Sequence, residues 1–326
     1  MADADADAAG QRDGGGGGGA GVAYLGPEAS YTHQAAQSFF PPSTPTPLHA
    51  HPSIPSIFAA VQSRAHARGV VPFENSSNGS VVQTLDLLAD VGGALQSVRV
   101  CGEVYVGVKH CLVGHFPPSG RSAEPTATAM ATATPACDLS RVTLLYSHPQ
   151  AWGQCTRFLD THLAGVERRD VASTSRAAQL VAQDATGTSA ALSSGLAAEL
   201  FGLDVLAHTV NDRVGNTTRF LVLRHGDADE VQEQGEDGKQ FKSMVSFTIP
   251  HTAPGALANV LAAFSRHGIN LTSINTRPSG EVNWQYVFFV ELLGRKVPGG
   301  AVEKALEEAQ GVCAGVRWLG SWESGL

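Results

Sequence analysis

The sequence predicts an α/β protein in two parts: two lobes of alternating strands and helices that face a cleft, followed by a small module of order βαββαβ. Three observations carry this. Short apolar strands alternate with helical patterns from residue 22 to residue 223, the signature of strand–helix units around buried sheets. Residues 224–241 are acidic and bear glycines, so they read as a linker. Beyond them, over residues 242–322, strand and helix periodicities recur in the order strand, helix, strand, strand, helix, strand.

Composition narrows the function classes. The 326 residues are 43% hydrophobic and 16% charged, enough for two or three cores. The net charge is −8, and the 22 basic residues form no run, so neither nucleic acid nor an anionic membrane surface is an expected partner. An anionic substrate would need locally placed arginine. Cys101, Cys111, Cys137, Cys155 and Cys313 form no Cys-x-x-Cys pair, and no His-Glu-x-x-His or Gly-x-Ser-x-Gly occurs. A metal site and a hydrolytic triad therefore find no motif. No apolar run approaches a membrane span, and the N-terminus lacks the basic-then-apolar order of a signal peptide, so a cytoplasmic location with reduced thiols is expected.

Taken in order, residues 1–21 are Ala/Asp- and Gly-rich and read as a disordered tail; the aspartates argue against an organelle transit peptide. Val22–Leu25 is a strand that meets Gly26-Pro27 and a helix starting near Ser30. Ser30 or Thr32 caps that helix, whose N-terminus favours a carboxylate. A Pro-rich connection over 41–55 leads to a helix from Ile57 and a strand at Val70–Phe73. The polar run Glu74 to Ser80 follows, with amides and hydroxyls suited to a carboxylate or hydroxyl, while Ser80 starts a helix carrying Leu85, Leu87 and Leu88. Glu74 is ambiguous between an acid and an ionised acceptor of backbone N–H groups, and the second is expected.

Residues 103–113 read as one strand crossing to the second lobe, with Lys109 and His110 given little weight as ligand contacts, and 117–137 as a low-complexity surface insertion. Val142–Tyr146 is a strand. Ser147 lies at its end, and Gln154 lies two turns on if a helix starts near Pro149, so both reach toward one pocket. Plain alternatives are an N-cap for Ser147 and a solvent-facing ring for His148. Ser173, Thr174 and Ser175 cap a helix, Ser189–Leu192 is a strand, and Gly195–Phe201 a short helix. Val205–Val210 then leads to the polar loop Asn211–Gly215 and the strand at Phe220–Leu223. Thr217, Thr218 and Arg219 sit at that strand's end, where α/β folds keep ligands. A guanidinium beside a hydroxyl and an amide suits a small anion; the plain alternative is a surface ion pair with the threonines capping a turn.

In the last part, Ser243–Ile249, Ile269–Thr276, Trp284–Leu293 and Val316–Leu319 read as strands. Pro254–His267 and Val302–Ala309 read as helices, the first with Leu257, Val260, Leu261 and Phe264 on one face. This is a ferredoxin-like order. On pattern alone Arg277 is a surface residue.

Four spaced motifs together resemble the prephenate dehydratase family: Tyr24-Leu25-Gly26-Pro27; Pro72-Phe73-Glu74-Asn75-Ser76 with Gly79-Ser80-Val81; Ser147-His148-Pro149-Gln150-Ala151 with Gln154-Cys155; and Asn216-Thr217-Thr218-Arg219-Phe220. The resemblance implies a two-lobed, periplasmic-binding-protein-like catalytic domain followed by an ACT domain. It implies conversion of prephenate to phenylpyruvate without a cofactor or metal, and feedback by phenylalanine bound between two ACT domains, hence a homodimer or homotetramer. By resemblance Thr218 is the principal catalytic hydroxyl, with Ser147 and Gln154 beside it. Asn75, Ser76, Thr174, Arg219 and Phe220 bind substrate, Arg219 by neutralising a carboxylate. The effector site is Gly255, Ala256 and Leu257 with Asn275, Thr276, Arg277 and Pro278. Two departures stand out: Asn275 replaces an acidic residue of the family motif, and Ala29 stands where the family has glycine. Arogenate dehydratase shares these motifs; the lack of a plastid-type leader favours prephenate. A non-catalytic amino-acid-sensing protein with the same cleft is the reading from another class, and the retained Thr218-Arg219 pair argues against it.

Overall fold

A computed structural model describes residues 21–41, 46–117, 133–226, 239–250, 252–280 and 282–325. The tail as far as residue 20, most of the 117–137 insertion and most of the linker lie outside them. In the first lobe β1 (Val22–Leu25), α1 (Tyr31–Phe39), β2 (Leu48–His51), α2 (Ile54–Gln62), β3 (Arg68–Asn75), β4 (Gly79–Ser80), α3 (Val82–Ala89) and β5 (Val98–Gly107) follow in sequence. The second lobe holds β6 (Cys111–Gly114), β7 (Leu144–Ser147), α4 (Pro149–Trp152), α5 (Thr156–His162), β8 (Glu167–Asp170), α6 (Thr174–Ala182), β9 (Ser189–Ser193), α7 (Gly195–Phe201) and β10 (Asp204–Ala207). The chain then returns to the first lobe as β11 (Thr217–His225).

The first sheet has the order β2-β1-β3-β11-β5 with β4 on β3, and the second has the order β10-β6-β9-β7-β8. Each lobe thus mixes parallel pairs, as between β1 and β3, with antiparallel pairs, as between β3 and β11. Two short connections, 108–110 and 208–216, join the lobes and run side by side, Val108 N–H donating to Asn216 O and Val210 N–H to His110 O. Among the described residues no helix is long and apolar enough to cross a membrane.

Several local expectations are corrected. The Pro-rich connection contains a strand, β2, which pairs in parallel with β1. Helix α2 begins at Ile54 because Ser53 caps it and Pro55 occupies its first turn. Helix α3 begins at Val82 without a side-chain cap, so Ser80 does not start it. The 103–113 run is two strands broken at the lobe crossing, and β8, an exposed edge strand, carried no apolar signal in sequence.

The module comprises β12 (Phe241–Thr248), α8 (Ala256–Arg266), β13 (Leu271–Pro278), β14 (Tyr286–Leu293), α9 (Ala301–Gln310) and β15 (Gly315–Glu323), with sheet order β13-β14-β12-β15. Strand alternation gives this sheet two buried faces. Val245, Phe247, Val290 and Leu292 pack on Val260 and Phe264 of α8 and Ala305 of α9. Met244, Val287, Phe289, Leu319 and Trp322 form one core with Leu85, Leu88, Val98, Val100, Leu221 and Leu223 of the first lobe. The module is therefore seated on the sheet that carries β11.

Gly320 marks the closest approach: at φ 143° it sits where a Cβ would lie 2.0 Å from the Val100 carbonyl oxygen of β5. Backbone meets backbone there, and no rotamer change relieves the clash. Gly320→Ala is expected to cost about 3 kcal/mol, from overpacking and an unfavourable φ together, measured by urea unfolding of the full chain.

Candidate active site

The two lobes enclose a cleft of about 1060 Å³. The first lobe supplies Gly26, Ser30, Tyr31, Thr32, Asn75, Ser80, Thr218 and Phe220; the second supplies His148, Gln154, Ser173 and Thr174; His110 comes from the crossing. The lobes also touch directly: Ser175 Oγ donates to Glu28 O, and Ala29 packs among the apolar residues of the second lobe. Ala29 has φ 61°, a left-handed conformation that costs any side chain about 1 kcal/mol and explains why glycine suits this turn. Its N–H donates to His33 Nδ1, and Ser30 Oγ caps α1 by accepting from His33 N–H while donating to Leu25 O.

A chain of side-chain hydrogen bonds runs along the cleft floor. Tyr31 Oη lies 3.2 Å from His110 Nδ1, and His110 Nε2 lies 2.9 Å from Gln154 Oε1. Burial lowers the His110 pKa, the Gln154 contact opposing it only in part, so the ring is neutral at pH 7. One nitrogen then carries the proton. Nε2–H donates to Gln154, which leaves Nδ1 to accept from Tyr31, whose phenol burial holds firmly protonated. Gln154 Oε1 also accepts from Asn216 Nδ2 at 3.3 Å, and Asn216 Oδ1 accepts from Asn75 Nδ2 at 2.9 Å.

The chain ends on Thr218. Asn75 Nδ2 donates to Thr218 Oγ1 at 2.9 Å, while Asn75 Oδ1 accepts from the backbone N–H of Ser77 and Asn78 and so fixes the amide's orientation. With a lone pair engaged by Asn75, the threonine keeps its own hydrogen for a partner in the cleft. Asn75→Ala would leave that hydroxyl free to rotate. It is expected to lower kcat about tenfold with little change in KM, read by steady-state kinetics.

Of the residues proposed from sequence, the structure gathers Asn75, Gln154, Thr174, Thr218 and Phe220 around this cleft. It places three elsewhere. Arg219 is 7% exposed and points to the opposite face of β11, where Glu291, Glu103 and Glu74 hold it. The reason is the two-residue period of a strand: if Thr218 and Phe220 face the cleft, Arg219 cannot. Burial alone would weaken its charge, but the Glu291 carboxylate outweighs this and keeps the guanidinium firmly protonated. Ser147 is fully buried within β7 and donates to Leu192 O, and His148, not Ser147, caps α4. Ser76 lies on the exposed turn after β3 and accepts from Thr217 N–H, bracing the start of β11. Glu74, expected to accept backbone N–H groups, pairs with Arg219.

The hydrogen-bond chain also includes His110, given little weight from sequence, and Tyr31 and Asn216, which the sequence reading did not assign to the site. A usable signal was present, since Lys109-His110 interrupts an otherwise apolar run where a lobe crossing was expected. The effector set is also divided. Gly255, Ala256 and Leu257 line a shallow apolar recess with Ile249, Pro250 and Leu261. Asn275 and Arg277 instead meet the first lobe: Ser80 Oγ donates to Asn275 Oδ1 at 2.7 Å, and Arg277 pairs with Asp86 of α3. Thr276 and Pro278 alternate with them and are exposed.

These features define a two-lobed α/β cleft protein of the periplasmic-binding-protein build, with a small C-terminal module seated on one lobe. The model of the prephenate dehydratase family matches residues 22–228, and that of the ACT domain matches residues 243–309. The chain belongs to the prephenate dehydratase family, whose members are lyases, and its C-terminal module is an ACT domain. The bifunctional chorismate mutase/prephenate dehydratase of Neisseria gonorrhoeae is 34% identical over 94% of this chain and 75% of its own. The prephenate dehydratase of Mycobacterium leprae is 34% identical over 94% of this chain and 87% of its own. Among solved structures, prephenate dehydratase from Arthrobacter aurescens in complex with L-Phe superposes with a TM-score of 0.75 at 26% identity, covering 93% of this chain and 90% of its own.

Proposed function

We propose that the chain converts prephenate to phenylpyruvate in the cleft between its lobes, under control of L-phenylalanine through the ACT domain. The observation that carries the mechanism is the hydrogen bond from Asn75 to Thr218 Oγ1, which leaves the threonine hydrogen to the substrate. In the reaction the bond from the ring to its carboxylate breaks, and that electron pair enters the ring. The bond from the ring to its hydroxyl oxygen breaks in turn, the oxygen takes one proton from solvent and leaves as water, and CO2 departs. Aromatisation drives the step, so the protein's part is to hold a dianion and stabilise the departing oxygen. Thr218 donates to that oxygen as a directed hydrogen bond, since a threonine hydroxyl is a poor acid at neutral pH.

With Arg219 turned away, no lysine or arginine is among the described residues lining the cleft. The carboxylates are instead met by neutral donors: the N-terminus of α1 at Tyr31 and Thr32, and that of α6 with Ser173 and Thr174. Gln154 and His110 complete the polar floor, and Phe220 packs beneath the ring. Phenylalanine control is supported by the ACT domain and by the L-Phe complex of the Arthrobacter aurescens relative. The recess at Gly255–Leu257 is the effector's apolar seat, completed by a second copy in a homodimer or homotetramer. Among the described residues no disulfide joins the five cysteines, which fits a cytoplasmic enzyme.

The test is to incubate the full chain with prephenate at neutral pH and follow phenylpyruvate against a no-enzyme control, with and without L-phenylalanine. Phenylpyruvate above control, with a rate that responds to phenylalanine, is the expected result. Turnover of arogenate alone would replace the substrate, and no turnover of either by folded protein would overturn the catalytic reading.

A further inference from the structure

Arg219 is held by the ACT domain more closely than by the lobe that carries it. Its Nη1 reaches Glu291 Oε2 at 2.7 Å and its Nη2 reaches Glu291 Oε1 at 2.5 Å, a two-pronged pair between β11 and β14. Glu103 and Glu74 lie at 3.3 Å on the lobe side, and the Phe73 ring lies 4.8 Å from the guanidinium carbon. Glu291 is 2% exposed, and its strand is paired on both sides, with Met244 of β12 and Ser273 of β13 as register partners. The carboxylate is therefore anchored in the middle of the ACT sheet.

This anchor sits directly behind the cleft. Thr218 and Phe220, the neighbours of Arg219, both line the cleft, so a displacement of the Arg219 backbone reaches Thr218 across a single peptide unit. The pairing of β11 with β3 shifts register between Arg219 and Phe220, so the ladder is locally irregular where the hydroxyl must be aimed. The ladder with β5 stays regular through Thr217–Phe220, so side-chain clamping adds orientation on the β3 side, where the ladder is broken.

We propose that Glu291 is a positioning residue for the dehydratase cleft: by clamping Arg219 it sets the direction of the Thr218 hydroxyl, and effector-driven movement of the ACT domain reaches the cleft through this pair. The inference rests on the reading of the cleft given above. It makes the ACT domain part of the catalytic frame. It also assigns Arg219 a role that leaves substrate carboxylates to other groups.

The test uses the full chain and two variants. Glu291→Gln removes the charge at nearly constant size; the double variant Arg219→Gln with Glu291→Gln removes both charges of the pair and leaves the buried Glu103 to Lys242. Glu291→Gln is expected to lower kcat about 30-fold with KM changed less than about threefold, the signature of a lost transition-state interaction. L-phenylalanine is expected to bind still, by calorimetry, but no longer to alter the rate. Amide exchange over residues 217–220 is expected to quicken about tenfold in both variants, because the clamp and not the overall fold is lost. The double variant is expected to regain thermal stability without regaining kcat. Wild-type kcat and wild-type exchange on β11 in either folded variant would overturn the proposal. Should the wild-type chain fail to turn over prephenate, the exchange measurement still judges the clamp while the substrate reading falls separately.

Discussion

Thr218→Val is expected to lower kcat about 100-fold or more, with KM for prephenate within about threefold and with L-phenylalanine binding intact. The substitution deletes one hydroxyl and keeps a β-branched side chain, so β11 retains a residue suited to a strand. Asn75 loses one acceptor but keeps Asn216 Oδ1, so the hydrogen-bond chain to Gln154 and His110 persists. What disappears is the donor aimed at the departing oxygen. Thr218→Ser retains that donor with a freer rotamer and should lose no more than about tenfold. Steady-state kinetics with circular dichroism and calorimetry on the same samples decides the matter. An unchanged kcat in folded Thr218→Val would remove this hydroxyl from the mechanism and return attention to Gln154 and His110.

The fold was legible wherever burial followed a simple period. The apolar strands at 22–25, 70–73 and 220–223, the capped helices at Ser30 and Ser173, and the βαββαβ order of the module all follow from alternation and end signals. Strand β2 was hidden because Leu48-His49-Ala50-His51 is a half-exposed edge among prolines, with little apolar signal. The misassignment of Arg219 had a different origin. Charge complementarity to an anion drew it into the cleft, although its adjacency to Thr218 within a strand already assigned the two side chains to opposite faces. A second clue lay in Glu291 and Glu103, each a lone acid inside an apolar strand run, since a charge in such a place needs a buried partner. Finding that partner required the tertiary contact between the ACT sheet and the first lobe, which no local pattern encodes. Asn275 is similar. In sequence it is a missing acid; in the structure it accepts a hydrogen bond from Ser80 at the rim of the cleft.

Lys242→Met is expected to cost about 3 kcal/mol of stability at pH 7, and the cost should shrink as the pH falls below about 4. Lys242 of β12 and Glu103 of β5 are 6% and 5% exposed and meet at 3.0 Å across the same interface. Burial by itself raises the Glu103 carboxyl, but the Gly325 N–H and the Lys242 ammonium, with Arg219 behind them, outweigh it and hold the group below its ordinary value. Its contribution is therefore present above the unfolded value near 4.3 and is lost as pH falls through the lower folded value. Burial likewise lowers Lys242, and its bond and charge contact with Glu103 outweigh that and raise it. That contribution is complete below about 10.4 and is lost as pH rises through the higher folded value. Removing the ammonium strands an ionised Glu103 with Gly325, Tyr105 and Arg219 as its remaining partners. Once Glu103 is protonated in both proteins, the missing ammonium has no charge to serve, and the two stabilities converge. Urea unfolding of both proteins at pH 7, about pH 5 and about pH 3.5 reads the convergence directly. A cost that stayed constant across that range would show that Lys242 contributes through the packing of its stem and the contacts of its ammonium with Tyr105, and that the charge pair between lobe and ACT domain is energetically idle.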